Sequence, residues 1–440
     1  MAQKCVLEWQ HYDMSPKDVI LKKEKEFNNG GVEHTLIQGE NLDVLQELLR
    51  QGYKNKIDCI YIDPPYNTGA TNWRYNNGYG RNNDRHSYWL SFMEARLILA
   101  KELLNKENSV LICAIGEDEV HRLALLLGEI FHGAEIHEVH VAGNSERKGR
   151  NFIEHNEFYF FVQIGSIQVN PIQQKRKAKH SDIWQTLLRT GVNRSPWDNP
   201  NNYYPIYIDE CQNCLVGEKI SPDVPISEVP KKNGLTPILP LLANGEKSVW
   251  RYIPSSLQAH LISGRARVNN NKVEVKTRKY WEKYLNTPEE EMYALKTPSD
   301  IWGEAKYNAG AYGTNMIKAF LGGRQFDYAK SLYAVKEAIQ LYMGNKKNAT
   351  ILDFFAGSGT TCHAVMELNE QDGGERKCIS ITNNENKICE EVTFPRIKNA
   401  ISGKTSQGEK IKGTYLSGRP YAEGYKASIA YYIAENISEK

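Results

Sequence analysis

The residues best suited to chemistry lie in one short stretch, IDCIYIDPPYNTG at positions 57–69, where an apolar run ends in Asp63, Pro64, Pro65 and Tyr66. Two adjacent prolines cannot continue a sheet ladder, so we expect a rigid turn at the end of a buried strand. An ionised carboxylate only accepts hydrogen bonds, proline has no backbone N–H, and a tyrosine ring can stack on a flat partner. The stretch therefore suits the binding of a planar group that carries N–H donors.

A second stretch, ILDFFAGSGTTCHAVM at positions 351–366, joins an apolar strand through Gly357 and Gly359 directly to a helix. Such glycines permit a tight bend and let the backbone approach a ligand, as in nucleotide-binding turns. A P-loop would need a lysine after the loop, and a dinucleotide site would need a third glycine at the proper offset, whereas this chain continues with Thr360 and Thr361. Both stretches end buried strands at their carboxyl side, where open α/β sheets bind ligands, so we expect them to share one site.

The elements around these stretches alternate between apolar strands and amphipathic helices. Strands are predicted at LIQG, IDCIYID, SVLICAI, NEFYFFVQI, ATILDFFAG and KCISITNNE, with helices such as SYWLSFMEARLILAKELL between them. This order predicts a mainly parallel sheet covered by helices on both faces. The polar stretch LKKEKEFNNGG at positions 21–31 is predicted to be a solvated helix with a glycine stop. From 166 to 300 the alternation gives way to Pro, Asn, Lys and Tyr, with a hairpin predicted at RARVNNNKVEVKTR, so this region reads as an inserted module.

Length and composition give general expectations about the number of domains, the partners and the location of the protein. The chain has 440 residues, more than one core usually supports. Its 55 Lys and Arg against 53 Asp and Glu do not require a nucleic-acid partner, so any basic surface must be local. Eight scattered cysteines, no signal peptide and no apolar span indicate a cytoplasmic protein with reduced thiols. The predicted segments are an N-terminal extension (1–35), a first half of the sheet domain (36–165), the inserted module (166–300), a second half (301–404) and a C-terminal tail (405–440).

The two stretches together resemble motifs of the amino-methyltransferases that modify exocyclic nitrogens of DNA bases with S-adenosylmethionine. DPPY resembles their catalytic motif and DFFAGSGTT their cofactor motif. The order, with the catalytic motif first, resembles the circularly permuted beta subgroup. IYIDPPYNTG, SYWLSFMEARLILAKELL, NYYPIYID and FDYAKSL resemble the modification (Mod) subunits of type III restriction-modification systems. The resemblance covers roughly residues 35–400 and implies a Rossmann-like methyltransferase sheet with an inserted mixed α+β target-recognition module.

The resemblance also implies a function. The chain would be a site-specific DNA methyltransferase that transfers a methyl group from S-adenosylmethionine to N6 of a flipped-out adenine, within a restriction-modification or related defence system. Asp rather than Ser at position 63 favours adenine. An N4-cytosine enzyme and a catalytically silent DNA-specificity subunit remain alternatives. The implied partners are double-stranded DNA, a restriction (Res-like) subunit and a second copy of the chain. The lone pair Cys211 and Cys214 does not predict a metal site.

By the same resemblance, Asp63 and the Pro64 carbonyl accept both hydrogens of the adenine amine, freeing its lone pair, while Tyr66 stacks on the base and Pro65 completes the motif. Residues implied to bind the cofactor are Asp353, Phe355, Gly357, Gly359, Phe326, Lys330, Ser331, Glu40 and Asn41. Ala329 stands where family members often have proline. A ribose-binding acid is expected at position 382, which is Thr382; either Asn383, Asn384 or Glu385 replaces it or the contact differs, and Glu385 is our candidate.

Two regions are predicted to contact DNA. The polar stretch 67–86 interleaves aromatic rings with arginines, as stacking on an extruded nucleotide and phosphate contact would need. The inserted module carries basic residues and, by elimination, is expected to recognise the target sequence. The candidate residues are Trp73, Arg74, Tyr75, Arg81 and Arg85 in the first region, and Lys175, Arg176, Arg265, Arg267, Lys276 and Arg278 in the second.

Overall fold

A computed structural model describes residues 7–68, 84–142, 157–176, 184–270, 272–276, 292–323, 326 and 329–437. Strands in these ranges are β1 (Val19–Asn28), β2 (Val32–Gln38), β3 (Cys59–Ile62), β4 (Asn108–Ile115), β5 (Glu135–Val141), β6 (Phe158–Gly165), β7 (Ile172–Arg176), β8 (Trp184–Thr186), β9 (Ile206–Ile208), β10 (Cys214–Val216), β11 (Ala266–Asn269), β12 (Lys272–Lys276), β13 (Met292–Lys296), β14 (Ile301–Trp302), β15 (Thr350–Asp353), β16 (Lys377–Thr382) and β17 (Ala427–Asn436). Helices are α1 (Asn41–Arg50), α2 (Arg85–Leu103), α3 (Val120–Ile130), α4 (Pro254–Ile262), α5 (Asn315–Leu321), α6 (Leu332–Met343), α7 (Thr360–Asp372) and α8 (Phe394–Ser402).

Ten strands form the main sheet in the order β1-β17-β2-β16-β15-β3-β4-β6-β5-β14. The six strands from β17 to β4 are parallel to one another, and β1 and β6 pair antiparallel with the two ends of this block. Side chains of β3 alternate between two cores: Tyr61 packs with residues of α6, α7 and α8, and Ile60 with residues of α1, α2 and α3. Helices therefore cover both faces, which explains why the central strands are apolar throughout.

The two chain ends depart from the sequence interpretation. Residues 21–31 were predicted to form a helix, but most of them lie in β1, which pairs antiparallel with β17 at the edge of the sheet. The prediction was wrong because Lys and Glu favour helix locally, while pairing with a strand some 400 positions away decided the conformation. Exposed lysines also suit an edge strand, since their charge discourages further pairing. The segments set apart as extension and tail thus both supply strands to the main sheet.

The order of the central strands determines where the site forms. β3, which leads into Asp63, pairs in parallel with β15, which leads into the glycine turn. β16 and then β2 follow on the other side of β15, also in parallel. The carboxyl ends of these four strands therefore lie side by side, as a ligand-binding crevice in an open α/β sheet requires.

Two compact units divide the chain: one consists of residues 1–172 and 295–440, the other of residues 173–294. The second unit is slightly shorter at both ends than the module expected at 166–300. It has its own core, which includes Leu187, Trp250 and Val275. The expected hairpin is present as β11 and β12, joined by β8 into a three-stranded sheet. None of the helices described for either unit is long and apolar enough to cross a membrane.

Candidate active site

A cavity opens at the carboxyl ends of β2, β3, β15 and β16. Its walls combine aromatic rings, backbone of the glycine turn and a few polar groups. The lining residues are Glu40, Asn41, Tyr61, Asp63, Pro65, Phe92, Phe326, Ala329, Lys330, Val335, Asp353, Phe354, Phe355, Ala356, Gly357, Ser358, Thr360, Thr361, Thr382, Asn383, Glu385 and Ile388.

The glycine turn follows β15 and is fixed by Asp353. Its buried carboxylate accepts hydrogen bonds from the Thr361 hydroxyl at 2.5 Å and from the Phe355 N–H at 2.9 Å. Gly357 and Gly359 both have positive φ, +48° and +79°, which L side chains rarely adopt. The local sequence therefore folds back on itself and presents backbone to the cavity.

Burial changes the ionisation of Asp353. Desolvation raises its pKa to about 7, although the hydrogen bonds from Thr361 and Phe355 oppose the rise. A carboxyl with such a pKa on the wall of a cavity is sensitive to any charge that enters the cavity.

The start of α8 supports the glycine turn from behind. The Arg396 guanidinium, fully buried, donates to the Ser358 hydroxyl at 2.8 Å and to the Thr360 hydroxyl at 2.7 Å. The Thr393 hydroxyl donates to the Gly357 carbonyl at 2.5 Å. Burial lowers the pKa of Arg396 to about 10, so the group stays charged at neutral pH. These bonds hold the turn in one conformation.

The turn after β3 carries the predicted catalytic motif, Asp63 to Tyr66, and is called the catalytic turn below. It is held by a cation from the second half of the chain. Lys330 Nζ lies 2.7 Å from Asp63 Oδ2 and 3.4 Å from Glu157 Oε1, and it lies over the Tyr66 ring at 4.8 Å. The Tyr66 hydroxyl donates to Glu157 Oε1 at 3.4 Å. Asp63 Oδ1 is buried and accepts no hydrogen bond from the residues that the structure describes. One oxygen of Asp63 is thus anchored, and the other has no partner within the described chain.

The charges in this group shift one another. Burial raises the pKa of Glu157, and the repulsion from Asp63 adds to the rise although Lys330 opposes it. For Lys330, burial works to lower the pKa, but attraction to Asp63 and Glu157 outweighs it, so the pKa is raised. Burial also raises the pKa of Tyr66 well above its usual value. Lys330 is therefore a cation and Tyr66 is neutral at physiological pH.

The wall formed by the residues after β2 is organised by Arg96 of α2. Arg96 Nε donates to Asn41 Oδ1 at 2.6 Å, and its Nη2 lies 2.5 Å from Glu40 Oε1. Asn41 in turn donates to the Phe354 carbonyl at 2.8 Å. The Arg96 guanidinium also lies 3.5 Å from the centre of the Phe92 ring. This chain of contacts ties α2, the end of β2 and the glycine turn to one another.

Most of the residues predicted to bind the cofactor line this cavity, but two do not. Ser331 caps α6, with its hydroxyl accepting from two backbone N–H groups and donating to the Lys306 carbonyl at 2.6 Å, so both of its hydrogen-bonding roles are used in the fold. Gly359 shapes the turn instead of lining the cavity, since a Cβ there would lie 3.1 Å from Ile397. Of the ribose candidates, Asn383 and Glu385 line the cavity, whereas Asn384 accepts a hydrogen bond from the Glu390 N–H at 3.3 Å.

Only part of the predicted catalytic motif lines the cavity. Asp63 and Pro65 line the cavity, while Pro64 and Tyr66 lie just outside its lining. The Pro65 carbonyl accepts a hydrogen bond from Trp89 Nε1 at 2.8 Å. The Tyr66 ring lies against Gly116, where an added Cβ would come within 2.6 Å of Tyr66 Cδ2.

The predicted DNA contacts are only partly described. Trp73, Arg74, Tyr75, Arg81 and Arg278 lie outside the described residues, and only the backbone is given for Lys175 and Arg176 in β7. Arg85 begins α2, with Nη2 3.7 Å from Asp118 Oδ1. Arg267 and Lys276 lie over the ring of Trp184 at 4.1 and 5.1 Å, and Arg267 also pairs with Glu274. Arg265 precedes β11, and its N–H donates to the His260 carbonyl at 2.8 Å.

Sequence reasoning did not identify several residues that shape the site: Glu157, Arg96, Thr361 and Arg396. Arg96 gives a signal in retrospect, because it lies at a helical spacing from Phe92, Met93 and Ala100 on an otherwise apolar stripe. A charge on such a stripe is expected to have a buried partner. For Glu157, which precedes β6, we find no signal in the sequence.

Comparison with known proteins gives the family. The sequence model of the family described as DNA methylase matches residues 57–393, well over half of the chain and with both motifs included. The chain belongs to the DNA methylase family. The resemblance to DNA amino-methyltransferases and the predicted methyltransferase fold class are thereby confirmed.

Individual relatives and solved structures are moderately similar to this chain. The Mod subunit of the type III restriction-modification enzyme EcoPI from Escherichia phage P1 is 27% identical over 419 residues, covering 84% of this chain and 61% of the relative. The type II methyltransferase M.KpnI of Klebsiella pneumoniae is 28% identical over 361 residues, covering 79% of each. The crystal structure of the M1.HpyAVI–SAM complex is 13% identical, with 82% of this chain and 98% of that one covered and a TM-score of 0.35. The chain thus spans about three fifths of the length of the phage relative.

Proposed function

We propose that the chain is a site-specific DNA methyltransferase that transfers a methyl group from S-adenosylmethionine to N6 of adenine. The observation that carries the proposal is the difference between the contacts of the two carboxylate oxygens of Asp63. One carboxylate oxygen is anchored by Lys330, and the other is buried without a partner among the described residues, on the wall of the cavity that contains the glycine turn. A buried acceptor without a donor is costly unless a ligand supplies the donor. An exocyclic amine would supply it.

The residues of the cavity fit S-adenosylmethionine. Phe326, Phe355 and Phe92 give apolar faces for the adenine ring, with Glu40 and Asn41 at its edge. Asn383 and Glu385 offer polar groups for the ribose, with Glu385 as the candidate acid. Asp353 and the backbone around Gly357 would hold the methionine part. When bound, the cofactor supplies a methyl group already activated by its sulfonium.

The catalytic turn would then prepare the nucleophile. The amine nitrogen of adenine reacts poorly because its lone pair is delocalised into the ring. Asp63 Oδ1 and the Pro64 carbonyl would accept its two hydrogens; the neighbouring Pro65 carbonyl is already used by Trp89. Accepting both hydrogens favours a tetrahedral nitrogen with an available lone pair. Alignment of the reacting groups can contribute about 7 to 11 kcal/mol in favourable cases.

The chain would also favour methyl transfer through the charges around the nitrogen. The nitrogen becomes positive as it takes the methyl group, and it must then lose one proton. Asp63 would place a negative oxygen beside that nitrogen and could accept the proton at Oδ1. Lys330 lies beside both neighbouring carboxylates and offsets part of their negative charge. A negative oxygen beside the nitrogen favours the positively charged transition state over the neutral substrate.

DNA would reach this site with the target base rotated out of the duplex, since a paired amine is not accessible. We propose that residues 173–294 recognise the target sequence, with Arg267 and Lys276 beside Trp184 as candidate contacts. A Res-like subunit is a proposed partner, by analogy with the Mod subunit from phage P1, and a second copy of the chain is proposed from the family resemblance alone. Free cysteines, most of them buried, suit the proposed cytoplasmic location.

The test is to map modified bases in DNA from cells that express the chain, with the Asp63→Ala variant, which removes the acceptor, as the matched control. We expect N6-methyladenine at one short motif, absent from the control. Methylation at cytosine N4 would replace adenine as the substrate. If the purified chain binds S-adenosylmethionine but no modified base appears, even with a partner subunit present, the chain is a specificity subunit and the proposal fails.

A further inference from the structure

The turn between β4 and α3 contacts the catalytic turn, although it does not line the cavity. β4 is the parallel neighbour of β3, so the two strands end side by side. The turn after β4 carries Gly116 and Glu119, and Glu119 is fully buried. A buried carboxylate is retained only where it is well partnered. Its partners therefore show what it holds in place.

The first partner is Asn67, the residue directly after the catalytic motif. Asn67 is fully buried and has a positive φ of +58°, a conformation that asparagine tolerates better than most residues. Its side-chain amide donates to Glu119 Oε1 at 2.6 Å and to the Arg85 carbonyl at 3.2 Å. Glu119 thus fixes the backbone immediately after Tyr66.

The second partner is the start of α2. His86 Nδ1 lies 2.6 Å from the same Glu119 Oε1, and Arg122 Nη1 lies 3.4 Å from Oε2. One turn later along α2, Trp89 donates to the Pro65 carbonyl. The catalytic turn is therefore fastened to α2 at two points, directly at Pro65 and through Glu119 at Asn67.

Gly116 gives an independent sign that this turn is fitted to the catalytic motif. A Cβ at Gly116 would lie 2.6 Å from Tyr66 Cδ2 and 3.1 Å from Cγ. Only a residue without a side chain lets the Tyr66 ring occupy its position. Both contacts of the β4–α3 turn thus act on the last residues of the catalytic stretch.

We propose that Glu119 is a positioning residue for methyl transfer: through Asn67 and His86 it fixes the position of the catalytic turn against α2. This inference rests on the proposed function. Glu119 touches neither the cavity nor Asp63, so its effect should appear in kcat and not in cofactor affinity.

The test exchanges the two hydrogen-bonding groups. Asn67→Asp places two carboxylates against each other, so the turn should shift, and a displacement of about 1 Å can cost roughly 100-fold in rate. In the double variant Asn67→Asp with Glu119→Gln, the introduced amide nitrogen can take the place of Oε1 and donate one hydrogen to the introduced carboxylate and the other to His86 Nδ1 in its Nε2–H tautomer. The amide oxygen then takes the place of Oε2 beside Arg122, while the hydrogen bond to the Arg85 carbonyl is lost in both variants. We expect this double variant to recover part of the lost kcat, on a duplex that carries the mapped target. The dissociation constant for S-adenosylmethionine should be the same in all variants.

Thermal unfolding of each variant gives a readout that does not depend on activity. The melting temperature should fall in Asn67→Asp and recover in the double variant. Glu367→Gln removes another buried carboxylate, one that pairs with Arg419 and Tyr425, and controls for general loss of stability. It should lower the melting temperature with kcat unchanged. If the wild type methylates DNA but the double variant is as slow as Asn67→Asp, the positioning role of Glu119 is refuted and the proposed function stands. A wild type that binds the cofactor but methylates no DNA refutes the proposed function, and the inference with it.

Discussion

We predict that Asp353 makes cofactor binding depend on pH. Its pKa is raised to about 7 by burial, so about 10% of the free protein has this carboxylate ionised at pH 6 and about 90% at pH 8. S-adenosylmethionine would bring a sulfonium and an ammonium into the cavity that Asp353 lines, which would favour the ionised form. If only that form binds tightly, the apparent affinity follows its population. We therefore expect binding to tighten about tenfold between pH 6 and pH 8, or about 1.4 kcal/mol.

Isothermal titration calorimetry measures this directly. At pH 6, in two buffers that differ in ionisation enthalpy, binding should release close to one proton, because the free carboxyl is mostly protonated there; at pH 8 the release should nearly vanish. The cofactor's own amine also titrates, with a usual pKa near ~7.7 to 8.0. Asp353→Asn keeps the shape but cannot ionise, and so defines the baseline. Glu157→Gln removes the other carboxyl with a raised pKa and should preserve the dependence. An affinity equally pH-dependent in wild type and Asp353→Asn would refute the reasoning.

The remaining predictions concern three other residues. Gly359→Ala forces a side chain into positive φ and against Ile397, so it should cost about 1 to 2 kcal/mol in unfolding free energy and weaken cofactor binding, both measurable by denaturant titration with and without cofactor. Lys330→Met leaves two partly buried carboxylates without their cation. Chemical denaturation should show a loss of about 1 to 3 kcal/mol, and an unchanged unfolding midpoint would contradict the pairing. Asp63→Ala removes the acceptor, so the rate constant in single-turnover assays should fall at least about 100-fold while cofactor affinity is kept; a smaller loss would mean that Asp63 is not the acceptor.

The parts of the fold that could be predicted from sequence were those with local causes. The strand that ends in Asp63 and the strand–glycine–helix stretch around Gly357 each carry their signal within about 15 residues. Their placement on adjacent strands followed from the rule for open sheets, and β3 and β15 do pair. Lys330 was selected through a family motif, but nothing in the sequence indicated that it pairs with Asp63.

What sequence reasoning missed depends on contacts between distant parts of the chain. β1 was taken for a helix because its partner strand lies near the other terminus. Glu157 and Arg96 acquire their roles only when β6 and α2 pack beside the motifs. Ser331 shows that a place in a recognised motif does not fix a residue's contacts, since its hydroxyl caps α6 and it does not line the cavity.

The most direct test of the account is the identity of the methylated atom. The purified chain would be incubated with S-adenosylmethionine labelled in its methyl group and a duplex that carries the mapped target, and the DNA would be digested to nucleosides. The account predicts label in N6-methyldeoxyadenosine with wild type and none with Asp63→Ala. Label in any other nucleoside, or equal labelling with Asp63→Ala, would contradict it.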